Sequence, residues 1–206
     1  FAVGGLLLLG CGEPKLTSRW VDREVTVDGS HLEWEGAVYS VDDLDGSIGL
    51  FNDDSNLYVC LATTDQDLAR QLLGQGLTVW FDPEGGRQNR LGIRFPLGLR
   101  ERGVGGERRG GERADREIAE RPDPTTILAS IKSSEPELEI VRGEEATRMF
   151  AAQAAGIDLA IDETNGAFVY ELVVPLAAGA GRPFAIEAVP GQTIGVGRET
   201  QEMERP

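Results

Sequence analysis

The stretch LTVWFDPEGGRQNRLGIRFPL, residues 77–97, alternates apolar and polar residues on either side of a run rich in turn formers. Over 77–82, Leu77, Val79 and Phe81 fall on one face; over 90–97, Leu91, Ile93, Phe95 and Leu97 do the same. A period of two sets each group on one side of a pleated sheet, and PEGGRQN between them supplies the turn, so the stretch reads as a β-hairpin. Its other face carries Thr78, Trp80 and Asp82, with Arg94 on the partner strand.

The same punctuation recurs outward from the hairpin. Residues 56–63 put Leu57, Val59 and Leu61 on one face and Tyr58, Cys60 and Ala62 on the other, so both faces of that strand are expected to be buried. Further strands are expected at 25–27, 47–52, 125–131, 137–142, 157–162, 167–174, 184–189 and 193–198. A short helix fits 66–73, capped by Asp65 and ended by Gly74 and Gly76. Residues 144–155 are alanine-rich enough for a helix and stay ambiguous. Residues 100–124 are dominated by Gly, Arg and Glu, hold too little apolar surface to order themselves, and read as a disordered, mobile loop. Strands at hairpin spacing with one short helix predict an all-β fold, an antiparallel sandwich, over an α/β sheet.

Of the 206 residues, 35 are acidic and 20 basic, a net charge of −15. That balance repels phosphate and excludes nucleic acid as a partner. Arginines at 100–124 do not reverse this, because acidic residues nearly match them. The apolar run at 1–10 is half the length needed to span a membrane but fits the apolar core of a secretory signal truncated at its start. Leu8-Leu9-Gly10-Cys11 resembles the lipobox of bacterial lipoproteins, which implies acylation of Cys11 and a tether over 11–23. Gly12 after that cysteine favours an outer-membrane or surface address in the cell envelope, with the membrane met through the lipid. A lipidated Cys11 leaves Cys60 without a disulfide partner; inside LYVCLA it is expected to be a small buried hydrophobe.

Asp28-Gly29, Glu33-Trp34, Asn52-Asp53-Asp54 with Leu57-Tyr58-Val59, TVWFDPEGG at 78–86, and Tyr170-Glu171-Leu172 with Val174-Pro175-Leu176 together resemble family-9-type carbohydrate-binding modules, the likeness running over 24–200 and leaving a tail at 201–206. The resemblance implies an immunoglobulin-like β-sandwich, sugar held against tryptophan with polar side chains on its hydroxyls, and in some members a structural calcium. It also implies that Trp34 packs in the core. With Trp20 in the tether, Trp80 is the candidate platform, beside Thr78, Asp82 and Arg94; the same group also fits an ordinary cation–π contact.

A single histidine, His31, rules out a multi-histidine zinc site. Acidic residues at loop ends, Asp43, Asp45, Asp53 and Asp54, suit calcium as hard oxygen ligands, although the EF-hand spacing fails there. No nucleophile–base pattern and no phosphate loop stands out, so the chain is expected to be non-catalytic. The functional expectation is a lipid-anchored envelope module that binds glycan or another polar ligand; the alternative is an envelope assembly protein that meets other proteins.

Overall fold

The computed structural model describes residues 16–41, 46–99, 101, 122–189 and 191–200. The proposed leader at 1–10, Cys11, Asp43 and Asp45, residues 102–121 of the Gly/Arg/Glu-rich segment and the tail at 201–206 lie outside the described residues. In chain order the strands are Arg19–Trp20 (β1), Val38–Val41 (β2), Gly46–Asn52 (β3), Asn56–Thr63 (β4), Gly76–Asp82 (β5) and Leu91–Leu97 (β6). Then follow Glu137–Arg142 (β7), Glu145–Phe150 (β8), Asp158–Thr164 (β9), Ala167–Pro175 (β10) and Gly195–Glu199 (β11). They form two sheets. In one, β4 lies between β3 and β10, β9 pairs β10, and β1 and β2 share the free edge of β3; in the other the order is β11-β5-β6-β7-β8. Every pairing is antiparallel except the short β1–β3 pair. The fold is thus the all-β antiparallel sandwich that the alternation predicts.

The inner rows follow the expected parity. Leu57, Val59, Tyr170, Leu172 and Val174 from the first sheet meet Leu77, Val79, Phe81, Leu91, Ile93, Phe95, Leu138 and Ile140 from the second. Helix α1, Gln66–Gln75, plugs one end of this core with Ala69 and Leu73. Asp65 caps it by accepting from the Leu68 N–H, and Gly76, at φ 89°, ends it as one of the two expected stops, so the helix runs two residues past the expected Leu73. A Cβ at Gly76 would stand 2.8 Å from the Pro96 carbonyl oxygen, so the position needs glycine for space as well as for φ.

Several expected strands take other forms. Residues 125–131 lie in a second helix, α2, Pro124–Lys132. Asp123 accepts from the Thr125 N–H, Pro124 occupies the first turn, and Ile127, Leu128 and Ile131 fall on one buried face. Residues 145–150 are strand β8 because β7 offers them a ladder from Glu137↔Phe150 to Arg142↔Glu145; a 3-10 turn, Ala151–Gln153, follows. Residues 184–189 join neither sheet; the Ile186 and Ala188 N–H groups donate to the carbonyls of Pro175 and Leu176. Residues 25–27 pair with no strand and instead lie on the outer face of the first sheet, where Val25 packs.

That outer face holds a second core: Trp34, Ala37, Phe51, Cys60 and Val169, flanked by Val21, Val25, Tyr58 and Ala62. Both faces of β4 are therefore buried, as its sequence predicts. Trp34, from the 3-10 turn Leu32–Trp34, stacks on Phe51 with ring centroids 4.8 Å apart. Its indole Nε1–H donates to Glu171 Oε1 at 2.7 Å, while the N–H groups of Asp28 and Gly29 donate to Oε2 at 2.9 and 2.7 Å. Glu171 is 1% exposed. Burial pushes its carboxyl above the usual range, against the pull of the Trp34, Gly29 and Asp28 donors, and the charge of Glu33 adds to the rise. Cys60, beside it, is buried; burial above all, then the charges of Glu171 and Glu33, pushes its thiol far above the usual range.

Two outcomes follow from this packing. A Cβ at Gly49 would stand 2.5 Å from Trp34 Cε3, so Gly49→Ala is expected to cost about 1–3 kcal/mol in urea unfolding. Gly179→Ala, with open space around it, is the near-neutral control. Glu171→Gln puts an amide NH2 among three donors and is expected to cost about 1–3 kcal/mol. Because the folded carboxyl is raised, its contribution is full below its ordinary value of 4.5 and is lost as pH climbs through the folded value. The glutamine variant should lack that fall in unfolding free energy as pH rises above 4.5; an unchanged profile would show that Glu171 does not titrate as described.

Candidate functional site

With the outer face of the first sheet covered, the exposed face of the second carries the candidate platform. Strands β11, β5, β6, β7 and β8 place Glu199, Thr78, Arg94, Glu139 and Arg148 in one cross-strand row. The neighbouring row reads Gly197, Trp80, Gly92, Val141 and Ala146. Trp80 thus sits between two glycines. A Cβ at Gly92 would stand 2.5 Å from the indole Cζ3, so the ring lies against the bare backbone of β6. The indole N–H donates to Glu199 Oε2 at 2.7 Å, which fixes the ring's long axis across the sheet. The side chain is half-buried, one side on the sheet and the remainder to solvent.

Thr78 and Arg94 come together beside it: Arg94 Nε donates to Thr78 Oγ1 at 3.1 Å. Nη1 of the same guanidinium donates to Glu139 at 2.7 Å and to Glu101 at 3.4 Å. Arg94 is therefore neutralised in its own row. Glu101 also accepts at its carbonyl from Arg148 Nη1 at 3.1 Å, so Arg94, Glu101, Glu139 and Arg148 form one charged rib across the face.

Asp82 does not join them. At 2% exposure, its carboxylate accepts from the N–H groups of Gln88 (2.8 Å) and Glu84 (3.0 Å), buckling the 83–90 loop back on its strand. The Gln88 N–H above all, then the Glu84 N–H and the charge of Arg90, hold this carboxyl below the usual range against a burial cost. The expected calcium ligands divide likewise. Asp53 is consumed by the β3–β4 turn, accepting from the N–H groups of Ser55 and Asn56 at 2.7 and 2.6 Å and from the Tyr58 hydroxyl at 2.8 Å. Burial raises its carboxyl, but these donors outweigh it and leave it below the usual range. Asp54 is exposed. Among the described residues no three His, Cys, Asp or Glu side chains are gathered to hold a metal ion.

Two concavities escape the sequence reading. An apolar slot of about 30 Å³ lies between α1 and the first sheet, with the Tyr170 ring in its wall. A larger groove, about 440 Å³, opens at the far end of the second sheet between Phe95–Leu97 and Ser133–Glu137, with Phe150 at its rim. It exists because the β6–β7 ladder stops at Arg94↔Glu139 and the strands part beyond that pair. Pro96 within β6 is the signal that marks it, since proline has no N–H to continue a ladder.

No helix among the described residues is long and apolar enough to cross a membrane. No family model matches the chain, and no curated protein matches it.

Proposed function

We propose that this chain is a non-catalytic, lipid-anchored module of the bacterial cell envelope that binds carbohydrate through the open face of its second sheet. The observation that carries the reading is Trp80: a half-buried indole resting against Gly92 and tethered by Glu199 on the outer face of the second sheet. A fixed aromatic plane meets the apolar C–H face of a sugar ring, and the carboxylates of Glu199 and Glu139 stand on the same face to meet hydroxyls, while Thr78, buried at 3% exposure, holds the Arg94 guanidinium from beneath. The lipobox-like Leu8-Leu9-Gly10-Cys11 supports the anchor, and Gly12 after it the outer-membrane address. A second reading, an envelope assembly protein, draws support from the exposed Trp20, Leu32 and Val38 in the N-terminal layer.

The test is a glycan-array screen of the purified domain, with and without calcium, alongside Trp80→Ala. Saturable binding that drops by up to about tenfold in the variant is expected, since a stacked aromatic contributes up to about 1.5 kcal/mol. Binding that needs calcium and survives the substitution would move the site to the acidic turns. No binding to any glycan, with capture of an envelope protein that Trp20→Ala abolishes, would favour the second reading.

A further inference from the structure

We infer that the groove between Phe95–Leu97 and Ser133–Glu137 is a binding site, separate from the Trp80 face, for a neutral or amino-bearing sugar unit. The Arg94, Glu101, Glu139 and Arg148 rib stands between the two places. By register Phe150 lies three strands and four residues from Trp80, about 20 Å away at the usual sheet spacings. The inference rests on the carbohydrate reading for its ligand class and does not need the Trp80 platform.

A volume of about 440 Å³ falls in the ordinary range for small-molecule sites and admits one or two sugar rings. Its walls alternate in character. Phe95, Pro96 and Ile131 supply apolar surface, and Phe150, 39% exposed, sets an aromatic ring at the rim. The backbone that carries it is fixed: the Phe150 N–H donates to Gln153 Oε1 at 3.2 Å, and the Ala151 N–H donates to the Pro136 carbonyl at 2.8 Å. A ligand with apolar faces and polar edges fits such a lining, and a sugar ring has both.

The polar groups fix the sign. The Ser133 and Ser134 hydroxyls already donate to the Ser130 and Ile131 carbonyls at the end of α2, which leaves their oxygens as acceptors. Glu135 has no partner among the described residues, and Glu137 is paired with Arg148 at the groove's edge. Among the described side chains that line the groove, the Ser130 hydroxyl alone is left to donate as well as accept. Among the described residues the lining is of acceptors and carboxylates with no cation, which calls for a ligand that brings donors, such as hydroxyl or ammonium groups, and rejects phosphate, sulfate or uronate.

The experiment is a nuclear magnetic resonance titration of the whole chain with three tetrasaccharides, of glucose, glucosamine and galacturonate, read at the amides of Ser130, Ser134 and Glu135. Glucose and glucosamine oligomers are expected to shift these amides saturably and galacturonate to leave them in place. Phe150→Ala should weaken the groove titration about tenfold and Trp80→Ala should leave it unchanged. Glu135→Gln should weaken glucosamine more than glucose, a difference that loss of folding cannot mimic. Groove amides that stay still while those beside Trp80 move would overturn this site and leave the carbohydrate reading standing. No movement at either place would overturn both, and a preference for galacturonate would overturn the assigned ligand class.

Discussion

A carboxyl in a protein interior needs donors to replace its water, and those that partly offset the burial of Glu171 come from one distant segment. Asp28, Gly29 and Trp34 lie 143, 142 and 137 residues away in sequence, and all three donate to it. The cost of leaving that carboxylate dry holds the 21–37 segment against the first sheet. Once there, the segment buries Trp34 on Phe51, roofs Cys60 and Val169, and makes a two-sided strand of β4. Gly49 is the matching concession, a residue without a side chain where the indole comes down.

This roof decides where a ligand can be met. The first sheet gives both faces to cores, so its side chains are spent on packing. The second sheet gives its inner face, and its outer face keeps Trp80, Arg94 and Glu139 in partial contact with solvent, with Thr78 buried beneath them. Polar residues on that face have largely satisfied one another, as the Arg94 rib shows, whereas the indole plane and the Phe150 groove are bounded by groups with unused acceptor or stacking capacity.

How much of this can be read in the sequence depends on range. Alternation in 56–63 and 77–97 predicts strands, faces and hairpin correctly because a pleat is local. Residues 125–131 mislead because their β-branched content suggests a strand, while the helix is set by the Asp123-Pro124 start and by the spacing of Ile127, Leu128 and Ile131. Residues 145–150 could not be assigned from composition, since the ladder offered by β7 overrides alanine's helical preference. Thr78, Trp80 and Arg94 are legible as neighbours on one face, yet Asp82, on the same parity, is drawn into its own loop by the Gln88 and Glu84 amides. Glu171 stands in the quoted Tyr170-Glu171-Leu172 motif, but its role depends on a contact that no local pattern encodes.

The groove is an intermediate case, because prolines write it into the chain. Extending the register Arg94↔Glu139 would set Pro96 opposite Glu137 and Leu97 opposite Pro136. Neither proline can donate to a ladder, and on the other side of β6 the register to β5 shifts between Gly76 and Thr78, at the same level of the sheet. Around Pro96 the pairing to β7 therefore ends, while the pairing to β5 survives only through an irregular step to Gly76↔Leu97. The strands part there, the end of α2 brings its serines alongside, and the sandwich acquires a concave mouth where a continuous ladder would have left a flat edge. A proline inside an otherwise regular strand, followed by a second near the start of its neighbour, thus marks where a sheet gives up hydrogen bonds to make room for something else.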